Sequence, residues 1–213
     1  LQEGPVTDIS IAVVGASWGG LAAVSQLVAA LPASFPLPLA VVQHRSRHAD
    51  NLLAALLQDV TDLRVVDVED KEPLEPGSVY IAPANYHMMV ERGHLSLTTD
   101  PLVRFSRPSI DVTFISAADA YPGATLGVVL TGANDDGSLG LRHIIKRGGR
   151  AIVQDPETAE SKAMPLAAMN AVPEAEVLAL ARIPARLIEM SKPGARWRTG
   201  NADPYAPPEA EAS

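Results

Sequence analysis

Apolar residues recur along this chain in two rhythms. Dense aliphatic blocks at about 9–14, 39–43, 63–68, 79–83, 125–131, 151–154 and 177–180 read as strands buried on both faces. Between them the apolar positions move to three- and four-residue spacing. Leu21, Val24, Leu27, Val28 and Leu31 share one helical face over about 19–31, and Pro32 stops that helix. Leu53, Leu56, Leu57 and Val60 repeat the pattern, with Asp50 as a cap. Further helices are expected from a Ser109 cap to about Tyr121, over 137–147 closed by Gly148-Gly149, over 165–171, and over 184–190. Residues 87–98 partly alternate polar and apolar around Arg92-Gly93, which predicts a hairpin. Strands alternating with helices predict an α/β fold: a doubly wound, mostly parallel sheet with helices on both faces and a small antiparallel hairpin. One domain is expected over 8–192. Residues 1–7 read as a linker remnant of a start trimmed at Leu1, with room for an upstream domain. The Pro-, Ala- and Glu-rich segment 193–213 reads as a flexible tail.

Composition narrows the class. The 213 residues are 47% hydrophobic but only 4% aromatic, so the core is aliphatic. A net charge of −8 argues against nucleic acid as a partner. No apolar run approaches the roughly 18 residues of a membrane span, so membrane insertion is not expected. The absence of cysteine removes disulfides, thiol nucleophiles and thiolate metal sites, and it suits a cytoplasmic location.

The chemistry gathers where blocks end. Ile11 to Leu21 runs from a buried strand through Gly15-Ala16-Ser17-Trp18-Gly19-Gly20 into a helix. A glycine-rich turn of this kind serves phosphate and dinucleotide sites as well as serine hydrolases. It is neither G-x-G-x-x-G nor a P-loop, and it does match G-x-S-x-G. A serine so placed presents its hydroxyl beside the free N–H groups of a helix start, where a negative oxygen is stabilised. It needs a base and an orienting acid. The segments Val41-Val42-Gln43-His44 and Leu130-Thr131-Gly132-Ala133-Asn134-Asp135-Asp136-Gly137 offer both at strand ends. In an open parallel sheet these ends converge on one edge.

The ordered set of segments at 15–20, 41–44, Ile81 to His87, Arg107 to Asp111, 130–137, Gln154-Asp155 and Met164-Pro165 resembles the catalytic domain of the chemotaxis protein-glutamate methylesterases of the CheB type, over about 9–190. The resemblance implies a triad of Ser17 as nucleophile, His44 as base and Asp136 as the orienting carboxylate. It implies hydrolysis of glutamyl methyl esters on the cytoplasmic helices of methylated chemoreceptors, with release of methanol, and deamidation of glutamines by some members. That chemistry needs no metal and no cofactor. Trp18, Gly19, Ala133 and His87 are expected at the oxyanion and cleft, with the Trp18 N–H as a donor. His87 reads equally well as a structural histidine.

Position 18 is Trp where many members carry a small residue, and position 133 is Ala where the chemotaxis enzymes carry Met. Counting from Gly132 selects Asp136 over Asp135. Arg45 and Arg107, with Arg47, Arg104 and Lys162, form either a basic rim for acidic receptor helices or ordinary surface charge; Arg107 and Asp111 also have the spacing to pair across a helix turn. His48, His94 and His143 have no evident companions, and the methionines read as packing. Two rivals stand beside the esterase. One is a catalytically silent module binding a receptor or signalling protein in the same cleft. The other, a nucleotide-binding module, is disfavoured by His44 at the end of the second strand, where an acid would be required.

Overall fold

The computed structural model describes residues 3–6, 8–46 and 52–198. In chain order the elements are β1 Glu3–Val6, β2 Ile11–Ala16, α1 Gly20–Ala29, β3 Leu39–Gln43, α2 Leu53–Gln58 and β4 Arg64–Asp67. There follow β5 Glu72–Pro73, β6 Ser78–Ile81, β7 His87–Glu91, β8 His94–Thr98, α3 Ile110–Ala120 and β9 Thr125–Val129. The chain continues through α4 Ser138–Lys146, β10 Arg150–Gln154, α5 Ala163–Ala171, β11 Glu176–Leu178, α6 Ile183–Met190 and β12 Arg196–Arg198.

Seven strands form one parallel sheet in the order β11-β10-β9-β2-β3-β6-β4. Strand β2 lies at its centre because all six of its residues are buried. Alternate side chains serve opposite layers. Ala12 and Val14 join Leu27 of α1, Leu57 of α2 and Leu187 of α6. Ile11 and Val13 join Phe114 of α3, Leu141 of α4, and Met88 and Leu95 of the hairpin. This is the period of two that a strand imposes, read on both faces at once. The predicted doubly wound sheet is thus the observed one.

The chain leaves β2 toward β3 and later returns to β9 on its other side. The sheet therefore reverses its winding beside β2, and the loops after β2 and β9 part there to leave a crevice.

Three features differ from the sequence reading. The hairpin β7–β8 carries a third strand, β5, paired to β8 through Glu72 and Pro73; two residues show no period to detect. Segments read as linker and tail contain β1 and β12, which pair antiparallel with each other. Helix α2 starts at Leu53 behind Leu52, while Asp50, its expected cap, lies outside the described residues, as do residues 1, 2, 7 and 199–213. Among the described residues no helix is long and apolar enough to cross a membrane.

Candidate active site

The turn after β2 is built by its glycines. A side chain at Gly15 would strike Ile110, so glycine there lets α3 close on β2. Gly19 has φ +75°, a left-handed conformation that turns the strand into α1. Ser17 sits between them. Its own N–H donates to Thr131 O at 3.0 Å, and its carbonyl accepts from Gly20 N at 2.9 Å and Gln43 Nε2 at 2.7 Å. The Thr131 hydroxyl donates to Trp18 O at 2.9 Å and accepts from Ser161 N at 2.8 Å. The Ser17 turn is thereby held by Gln43 and Thr131, and the Ser161 segment braces Thr131. Among the described residues, the N–H groups of Trp18, Gly19 and Ala133 have no protein acceptor.

His44 extends β3, its N–H donating to Ala16 O at 3.0 Å. Its Nε2 lies 2.7 Å from Asp136 Oδ2. Facing a carboxylate, Nε2 carries the proton, so Nδ1 holds the free lone pair; Asn134 Nδ2 stands 3.5 Å from it. The ring nitrogens thus exchange the roles they hold in the Ser-His-Asp template, where Nδ1 faces the acid.

Asp136 has no exposed surface. Its Oδ1 accepts from Ser109 Oγ and Asp111 N, each at 3.0 Å, and its Oδ2 also accepts from Ile110 N at 2.8 Å. It therefore lies on the positive end of α3. Burial alone would raise its pKa; the hydrogen bonds from His44, Asp111 and Ile110 outweigh burial and hold it below the usual carboxylate range. Asp111 returns the arrangement: its Oδ1 accepts from Gly137 N at 2.9 Å and Gly140 N at 2.7 Å at the start of α4. Burial, with the nearby Asp136 charge adding to it, pushes Asp111 upward despite those bonds.

Ser17, Trp18, Gly19, Gln43, His44, Ala133 and Glu160 line one open cleft of about 710 Å³. Trp18 is 66% exposed there. The expected cleft residues Trp18, Gly19 and Ala133 are therefore at the cleft. His87 is not: it is buried, with Ser109 N donating to Nδ1 at 3.2 Å and Nε2 placed 3.1 Å from Pro101 O. It holds the loop before α3.

Arg45 and Arg107 line a small hollow beside His44, and each proposed rim cation among the described residues has a partner within the chain. Arg45 donates to Ala82 O at 2.7 Å, and its burial depresses its pKa against the pull of Asp67. Arg107 donates to Asn85 Oδ1 at 2.7 Å and to Thr99 O at 2.6 Å, and not to Asp111. Arg104 pairs with Asp135, and Lys162 with Glu157 at 2.6 Å. His143 pairs with Asp119 on the surface. Arg47 and His48 lie outside the described residues. The positioning residues Gln43 and Thr131 carried no role in the sequence reading, and Ser109 only that of a helix cap. Their signal was a polar residue directly at the end of an apolar block or before a helix.

A family model described as CheB methylesterase matches residues 12–187. A Leptospira interrogans relative is 39% identical over 181 residues, 84% of this chain and 94% of that protein. The protein-glutamate methylesterase FrzG of Myxococcus xanthus is 39% identical over 186 residues, 87% of this chain and 56% of FrzG, so the chain spans little more than half of that relative. The crystal structure of the Thermotoga maritima CheB methylesterase catalytic domain superposes with a TM-score of 0.83 at 33% identity, covering 86% of this chain and 99% of that one. With its sequence and its fold both matched along most of its length, the chain belongs to the CheB methylesterase family.

Proposed function

We propose that this chain is a cytoplasmic serine esterase that hydrolyses glutamyl methyl esters on the helices of methylated chemoreceptors and deamidates glutamines there. The observation that carries the reading is the 2.7 Å contact of His44 with the buried Asp136, on the wall of the cleft that holds Ser17.

The steps follow from the groups present. Ser17 Oγ attacks the ester carbonyl as its proton passes to His44 Nδ1. Asp136 stabilises the imidazolium through Nε2–H. The oxyanion takes the unpaired N–H groups of Trp18 and its neighbours. His44 then protonates the leaving methoxide, and methanol departs. Water, deprotonated by the same ring, cleaves the acyl-serine to glutamate and free Ser17. With an amide substrate the leaving group is ammonia. Among the described residues no hydrogen bond joins Ser17 Oγ to the ring in the free protein; such contacts commonly tighten when substrate arrives.

Ser17→Ala tests the reading. Methanol release from methylated receptor membranes should fall on the order of 10³-fold or more, with unchanged circular dichroism. Near-parent turnover in the variant rejects the triad. Absence of turnover in the parent, with retained receptor binding, favours the silent binding module.

A further inference from the structure

The loop between β8 and α3 contains a feature that folding does not explain. Val103 and Ser106 pair across two residues, with Ser106 N donating to Val103 O at 2.8 Å and Val103 N to Ser106 O at 3.1 Å. The central residues, Arg104 at φ 48° and Phe105 at φ 64°, are both left-handed. A two-residue hairpin of that kind calls for Asn-Gly, and a bulky side chain there is strained. The turn is held by Arg104, which pairs with Asp135 and lies 3.7 Å from Asp111 Oδ2. Phe105 receives no such return. It is 97% exposed, the most exposed of the large apolar side chains described. A ring so placed contributes almost nothing to the core, and glycine would suit the turn better.

Its surroundings supply the reason. Phe105 borders a hollow of about 80 Å³ that His44, Arg45, Ser106, Arg107 and Pro108 also line. His44 is equally a wall of the main cleft, where Trp18 is exposed. Two large exposed aromatics therefore flank the proposed base, in a chain with only 2 Trp, 4 Tyr and 3 Phe. A polypeptide that seats one side chain in the cleft must cross its rim beside His44. Exposed aromatics at such positions are the usual anchors of an interface.

We propose that Phe105 is a specificity-determining anchor for the substrate segment, packing on an apolar side chain that flanks the scissile glutamyl ester. This rests on the esterase reading above. The ring holds the segment and takes no part in the chemistry.

The test uses two helical peptides bearing one glutamyl methyl ester, flanked by leucines in one and serines in the other. The parent should show a KM about tenfold lower for the leucine peptide. Phe105→Gly should remove that preference, with the change on KM and not on kcat and with a melting temperature no lower than the parent's. Phe105→Tyr should restore the preference. A leucine preference that survives in Phe105→Gly overturns the anchor. So does a fall in kcat alone, or a concentration-dependent dimer lost in the variant with unaltered kinetics. A parent whose methanol release persists in Ser17→Ala, or is absent, overturns the esterase reading itself and the anchor with it.

Discussion

Asp136 and Asp135 are neighbours with opposite circumstances. Asp136 is buried and accepts four hydrogen bonds, from His44, Ser109, Ile110 and Asp111. The Asp135 side chain is 61% exposed and pairs with Arg104. Whichever way it turns, an amide at 136 must set its NH₂ against a backbone N–H, of Asp111 or of Ile110, that has nothing to accept with. Asp136→Asn is therefore expected to destabilise the fold by about 3 kcal/mol. It should also lower kcat on the order of 10⁴-fold, the size of effect known when a triad acid becomes an amide. Asp135→Asn should stay within about 1 kcal/mol of the parent and keep most activity, because an exposed pair contributes little. Urea titration and methanol release on both variants check the contrast; equal losses would overturn the assignment of the acid.

Between elements, a buried charged link outside the site joins β11 to α6. Arg186 Nε donates to Glu176 Oε2 at 2.9 Å with both side chains buried. Burial would lower the arginine's pKa, and Glu176 and Glu189 more than compensate. Arg186→Ala takes a charge-assisted donor from a buried carboxylate and should cost about 3–5 kcal/mol. The double replacement Glu176→Leu with Arg186→Met should cost distinctly less. A denaturation cycle in which the double variant is as unstable as the sum of the singles would contradict this. These two residues were silent in the sequence, since a charged residue announces neither its burial nor its partner. Helix and strand positions were legible to within about two residues, because their periodicity is local: α3 and its Ser109 cap stand where expected. That Ser17, His44 and the 134–136 loop meet at one edge was legible because each follows an apolar strand and the fold rule gathers such ends, whereas the choice of Asp136 came from the family resemblance. Arg45 was not, because its acceptor is a backbone carbonyl of a distant segment. The β1–β12 pair was missed for the same reason, each strand's partner among the described residues lying nearly the whole chain away.

For the molecule as a whole, the buried aspartates Asp136 and Asp111 impose opposite slopes on stability against pH. Asp136 titrates lower in the native state than in the unfolded chain. Its contribution is present above the unfolded value of about 3.9 and is lost as pH falls through the native value. Asp111 titrates higher in the native state, so stability declines as pH rises from about 3.9 through its raised native value. Asp111→Asn keeps an oxygen for Gly137 and Gly140 but carries no charge. Its urea midpoint should draw ahead of the parent's as pH rises above about 4, and the two should converge in stronger acid. Parallel curves across pH 2–8 would show that Asp111 is not destabilised when ionised.

The exchange of carboxylates between α3 and α4 also bears on what mutation can remove. Asp136 fastens the start of α3 while Asp111 fastens the start of α4, so both are scaffolding whether or not a reaction is run. The Ser17 side chain, by contrast, makes no hydrogen bond to any described residue and can be exchanged without unfastening a helix. A descendant released from catalysis would drift first at the serine and would retain both aspartates for as long as it folded. The serine, not the acid, is thus the position whose identity separates a working descendant from a relic.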